Sequence, residues 1–161
     1  MFTNTLEYKN ILCPVDFSET SRKAFYRAVA YCQQFGARLT VLHVREGGNP
    51  MTPDQVEAEQ GTLTRLEEGL VRRLDELEEE GKVTRAERDR MFLEIRGGKP
   101  WIEIVRFAVD TGADLIVMGS HGHTGFLHVF MGSQCERVVR RAPCDVLTVK
   151  PDGYDPKIAE A

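Results

Sequence analysis

Apolar residues arrive in short continuous runs, and between the runs they recur every three or four positions. Asn10-Ile-Leu-Cys-Pro-Val15 is the first run and has the length of a strand. Pro14 near its end cannot donate to a ladder, so the strand is expected to finish there. Ser18 then stands where a helix cap is needed, with Glu19 favourable in the first turn. Ala24, Phe25, Ala28, Val29, Cys32 and Phe35 follow at helical spacing, and Gly36 fits the position after the helix end. Ala37-Arg-Leu-Thr-Val-Leu-His-Val44 is the second strand, followed by a loop at Gly47, Gly48, Asn49 and Pro50. From about residue 53 to residue 80 the spacing is helical again. Leu63, Leu66, Leu70, Leu74 and Leu77 share one face, with Glu67, Glu68, Arg72, Arg73 and Glu76 largely on the other. Gly61 and Gly69 weaken the middle of that helix. Thr84-Arg-Ala-Glu87 has the form of a capping box and predicts a short extra helix.

Met91-Phe-Leu-Glu-Ile-Arg96 is the third strand. Gly97-Gly-Lys-Pro100 opens the next helix with proline near its first turn. Trp101, Ile104, Val105 and Ala108 give that helix an apolar face, and Gly112 ends it. The run Ala113-Asp-Leu-Ile-Val-Met118 reads as a buried strand, the fourth, over 114–119. A last helix spans 132–141 and stops at Ala142-Pro143, and the fifth strand spans 144–150. The polar tail 151–161 is expected to fray. Strands thus alternate with helices, which predicts right-handed parallel crossovers and a sheet covered on both faces. Ligands of such sheets bind outside the carboxyl ends of the strands, where the strand order reverses. Strands one and four both end in residues suited to that place: Pro14-Val-Asp16 and Gly119-Ser-His-Gly122.

The 161 residues fit one domain, and an apolar content of 42% is ample for one core. No apolar run reaches membrane-spanning length, and the N-terminus lacks the form of a signal peptide, so a soluble cytoplasmic protein is expected. The net charge of −4 is concentrated: residues 50–91 carry 12 acidic and 7 basic side chains. No basic cluster suggests a nucleic-acid partner. Cys13, Cys32, Cys135 and Cys144 show no C-x-x-C spacing and are expected to be reduced thiols behaving as small hydrophobes.

The chemistry gathers around Met118-Gly-Ser-His-Gly122 and, nine residues after Gly122, Gly132-Ser133. Glycines between a strand and a helix let the backbone approach a ligand closely. A helix N-terminus adds N–H groups that suit an anion. Together they suit the phosphates of a nucleotide. Gly97-Gly-Lys-Pro100 lacks the spacing of a Walker loop, and Gly119-x-x-Gly122 is not the dinucleotide fingerprint. Asp16 can accept from a ribose hydroxyl or an adenine amino group, and equally can cap local N–H groups in a turn. Val44 stands either as a core valine or with its backbone against the edge of a base. Ser133 is an N-cap, a phosphate ligand or both. His121, His123 and His128 flank the glycines. No Asp, Glu or Cys stands near enough in sequence to complete a metal site, so His121 and His123 read as loop residues near phosphate. His43, inside a strand, reads as a satisfied core histidine.

Three blocks resemble the universal stress protein family, in its ATP-binding branch: Ile11-Leu-Cys-Pro-Val-Asp-Phe-Ser18, Leu39-Thr-Val-Leu-His-Val44, and Gly119-x2-Gly122-x9-Gly132-Ser133. The resemblance spans nearly the whole chain and is least over residues 50–90. It implies a single α/β domain with a core of about residues 8–150. The fold implied is a Rossmann-like, adenine nucleotide alpha hydrolase-like sheet of five parallel strands in the order 3-2-1-4-5. It further implies that Pro14, Val15 and Asp16 line an adenosine pocket and that Val44 meets the adenine edge. Met118, Gly119, His121 and Gly122 would hold the ribose and phosphate region, and Gly132 and Ser133 with the N–H groups of Gln134 and Cys135 would receive the phosphates. The family often has valine and then a small or hydroxylated residue after Gly-Ser. Gln134 and Cys135 replace them here, leaving backbone donors but no hydroxyl at 135, and the cysteine makes the site a candidate for redox sensitivity. A homodimer through strand five (144–150) is also implied, in keeping with the exposed apolar edge that Val146-Leu-Thr-Val149 would otherwise form.

The cofactor expected is ATP, with any Mg²⁺ or Mn²⁺ held mainly by its phosphates, and the role is that of a nucleotide-dependent regulator in a stress response. Near the loop stands no lysine, and no second carboxylate that would hold magnesium beside Asp16. Fast phosphoryl transfer needs both charge neutralisation and a positioned nucleophile, so slow hydrolysis is the alternative rather than the leading reading.

Overall fold

A computed structural model describes residues 6–47, 53–121 and 132–154. The first strand, β1 (Asn10–Val15), leads into α1 (Glu19–Phe35), β2 (Arg38–Arg45) and the long helix α2 (Pro53–Glu79). After the short α3 (Arg85–Arg88) come β3 (Met91–Gly97), α4 (Pro100–Thr111), β4 (Leu115–Gly119), α5 (Ser133–Arg141) and β5 (Asp145–Val149). The strands pair in parallel in the order β3-β2-β1-β4-β5, the order the family resemblance implied.

The inner strands β1 and β4 read as almost unbroken apolar runs because helices cover both faces of a parallel sheet. Ile11, Cys13 and Val15 point to one face, where they meet Ala24, Phe25, Ala28, Val29 and Cys32 of α1 and Leu74 and Leu77 of α2. Leu12, Leu42, Ile116 and Met118 point to the other, against Ile104, Phe107 and Ala108 of α4 and Cys135 and Val138 of α5. α2 is continuous through Gly61 and Gly69, so packing of its apolar stripe outweighs their cost in propensity. Among the described residues, no helix is long and apolar enough to cross a membrane.

The caps follow the sequence closely. Ser18 accepts from the Ser21 N–H to start α1, and Gly36 ends it in the left-handed conformation at φ 64°. Thr84 and Glu87 satisfy each other's backbone N–H groups in a capping box. Pro100 occupies the first turn of α4, and Gly112 closes that helix at φ 63°. The first strand ends as its apolar run predicted, at Val15, one residue after Pro14. Pro14 stands opposite Leu42 of β2, while the ladder with β4 reaches only from Ile11 to Leu12, short of the residue that offers no N–H.

Candidate functional site

The strand order reverses between β1 and β4, and a crevice opens there at the carboxyl ends of the strands. The N-termini of α1, α4 and α5 converge on it. The resulting cleft has a volume of about 390 Å³.

The β1 end contributes Pro14, Val15 and Asp16 to the lining, and the β2 end contributes Val44. Asp16 Oδ1 accepts from the Ser18 N–H at 3.0 Å and from Ser18 Oγ at 2.5 Å. Its carboxylate therefore takes the turn-capping role that the sequence left open, bracing the entry to α1 while lining the cleft. The next residue, Phe17, adopts φ 64°, a conformation that costs a bulky side chain free energy. Its ring lies tilted against His43 at 4.8 Å between centroids.

Met118, Gly119 and His121 enter from β4 and the turn after it. Gly119 is small for a reason internal to the fold. A Cβ there would stand 3.0 Å from Thr20 Cγ2 and 3.2 Å from the Ser21 backbone nitrogen, so β4 meets the first turn of α1 almost main chain to main chain. Ser120 is fully buried and ties two neighbours together: its N–H donates to the Val149 carbonyl at 2.9 Å, and its carbonyl accepts from the Gly132 N–H at 2.7 Å. Ser120 Oγ pairs with His121 Nδ1 at 2.8 Å, while His121 Nε2 is buried with no hydrogen-bond partner. Gly122, His123 and His128 lie outside the described residues.

Gly132, Ser133, Gln134 and Cys135 complete the lining from α5. Gly132 is the N-cap residue, and Ser133 is the first helical residue with an exposed side chain, which corrects the expectation that Ser133 caps the helix. The first intrahelical bond runs from the Glu136 N–H to the Gly132 carbonyl at 3.0 Å. The N–H groups of Ser133, Gln134 and Cys135 are thereby left without an intrahelical acceptor, at the positive end of the helix dipole. Gln134 Oε1 accepts from the Trp101 N–H at 3.2 Å, supplying the cap that Lys99 does not give α4. Cys135 is only 3% exposed, and burial pushes its thiol up to about 11. A buried thiol held protonated in this way packs as a small apolar group and argues against the redox sensitivity that the sequence raised for this position.

Every residue selected from the sequence that the structure describes thus faces one cleft. Ser21, Leu42, His43, Glu46, Pro100 and Ile104 line it as well and were not anticipated. His43 is half-buried and its Nδ1 lies 2.9 Å from the Val15 carbonyl. Glu46 brings a carboxylate to the lining in addition to Asp16. The signal for these residues was available, since every strand-to-helix turn in such a fold collects at the same end of the sheet. No lysine or arginine stands among the described lining residues, so an anion there would depend on backbone N–H groups and the helix dipole. Among the described residues no three His, Cys, Asp or Glu side chains gather as a metal would require. A second cavity of about 360 Å³, beside Arg38, Phe92, Glu94 and Phe107, lies at the opposite end of the sheet, away from the convergent helix N-termini.

The sequence profile of the Universal stress protein family matches residues 7–150. A universal stress protein of Methanocaldococcus jannaschii is 34% identical over 147 residues, covering 89% of this chain and 82% of the relative. The structure of the universal stress protein UspA of Lactobacillus plantarum superposes with a TM-score of 0.76 at 29% identity, over 89% of this chain and 99% of that one. A universal stress protein in complex with cAMP shares the fold at a TM-score of 0.65 and 21% identity, over 89% of this chain and 98% of that one. With the profile spanning nearly the whole sequence and the strand order shared, the chain belongs to the universal stress protein family.

Proposed function

We propose that this protein binds an adenine nucleotide, ATP foremost, in the cleft between β1 and β4, and acts as a nucleotide-dependent regulator and not as a fast enzyme. The observation that supports the reading most is the meeting of three glycine- and proline-bearing turns with the unpaired N–H groups of α5. Oxygen atoms of a phosphate suit those donors, and the apolar walls offered by Val44, Met118 and Ile104 suit a base. A protein of the same fold holding cAMP is consistent with an adenine nucleotide as ligand. The reading includes a cytoplasmic homodimer joined through β5.

Purified protein, denatured and analysed for released adenine nucleotide, tests the reading directly, and titration calorimetry with ATP, ADP, AMP and cyclic AMP ranks the ligands. Gly132→Val places a branched side chain at the start of α5 and is expected to abolish binding; unchanged affinity would remove the phosphate end from this cleft. Asp16 and Glu46 together favour one second reading, slow hydrolysis with Mg²⁺ or Mn²⁺ held mainly by the nucleotide. Turnover near ~1 per second, the low end for ordinary enzymes, would make that reading the leading one.

A further inference from the structure

The polar tail does not begin at the end of β5. Residues 150–154 fold back across the carboxyl ends of the strands, against the expectation of fraying at residue 151. The Lys23 ammonium is paired with the Asp152 carboxylate, which ties the segment to α1. The Tyr154 ring lies 6.1 Å from the His121 ring, and the Lys150 Nζ stands 4.5 Å from the centre of the Tyr154 ring.

The main chain brings three chemically apt residues to one place. Val149, Ser120 and Gly132 are joined in series by the hydrogen bonds of 2.9 and 2.7 Å. The residues that follow them are Lys150, His121 and Ser133: an ammonium, an imidazole whose Nε2 is buried without a partner, and the first N–H of a nine-residue helix. Among the described residues the ammonium meets an aromatic face and no carboxylate, so its charge is held in place without being neutralised there. The positive charge also reaches Cys135 in the first turn of α5, where it opposes the upward effect of burial on that thiol.

We propose that Lys150, held on the Tyr154 ring, is the cation that recognises the outer phosphates of the bound nucleotide, so that the segment 150–154 makes the cleft selective for polyphosphate over monophosphate. The inference rests on the adenine-nucleotide reading and supplies what the cleft lining lacks, a full positive charge. An α-phosphate is served by the helix N–H groups, whereas β- and γ-phosphates carry charge beyond the reach of one helix turn. A lysine suits that task as a compact charge with rotatable donors on a long stem.

The test is titration of the full chain with AMP, ADP and ATP, in the wild type, Lys150→Ala, Lys150→Arg and Tyr154→Leu. Lys150→Ala is expected to weaken ATP by about tenfold, as loss of one partly screened charge-assisted contact would, and AMP by less than about twofold. Lys150→Arg retains the preference, and Tyr154→Leu reduces it part of the way. The affinity for ATP should fall more steeply with salt in the wild type than in Lys150→Ala. AMP binding reports in each variant that the cleft has folded. If Lys150→Ala leaves the ratio of ATP to AMP affinity as in the wild type, Lys150 is only a solvated surface charge and the inference fails alone. If the wild type binds none of the three nucleotides, the adenine-nucleotide reading fails and this inference with it.

Discussion

Single residues in this protein do two jobs at the cleft, and their packing tells the jobs apart. Gly119 sits in a glycine loop that suggests ligand approach, yet its Cβ position is already filled by α1, with Thr20 Cγ2 at 3.0 Å and two backbone atoms at 3.2 Å. Gly119→Ala should therefore destabilise the fold by about 1–3 kcal/mol through overpacking, read as a lowered thermal midpoint with no nucleotide present. A midpoint equal to that of the wild type would show that α1 yields freely. The cysteines behave as packing groups. Burial raises the Cys13 thiol from an ordinary value of 9.0 to about 12, and the Cys135 thiol to about 11. An acid whose folded value is raised supports the fold fully below the unfolded value and loses that support as pH climbs toward the folded one. The thiols' contribution should thus be constant up to about pH 9 and be lost above it, and Cys13→Ala should make that alkaline fall shallower by up to about one proton. Thermal melts of both proteins through this range check the sign and the slope.

Between residues and fold stand the helices, whose ends carry the site. α4 begins with Lys99, which gives no side-chain cap, and the Gln134 amide of α5 reaches across to accept from the Trp101 N–H. The two helix starts that border the cleft are thereby fastened to each other. Gln134→Ala leaves that N–H uncapped and should cost about 1 kcal/mol, while Gln134→Glu, which keeps the acceptor, should cost less. Chemical denaturation of the two variants decides it; equal losses would mean the cap is not what holds Gln134 there. No local spacing rule joins residues 101 and 134, so this contact was illegible in the sequence, whereas the capping box at Thr84 and Glu87 was readable because both partners lie within one turn.

For the molecule as a whole, β5 is, among the described residues, an edge strand with Val146 and Leu147 half-buried and no strand on its outer side. Such an edge invites a second strand. Sedimentation is expected to show a dimer, and Val146→Arg to shift it toward monomer without loss of the far-ultraviolet circular dichroism; a monomeric wild type would locate association elsewhere or nowhere. The runs and spacings of the sequence were enough to predict the strands, the helices and the local caps at Ser18, Gly36, Thr84 and Gly112. These depend on contacts within a turn or along a strand, where residue spacing is geometry. Three features depended on contacts between distant segments and emerged only on folding: the fastening of α4 to α5 through Gln134, the arrival of Glu46 and His43 at the cleft, and the return of Tyr154 to His121. Pairing across the sheet brings together residues more than a hundred positions apart, and no periodicity along the chain records which side chains will meet there.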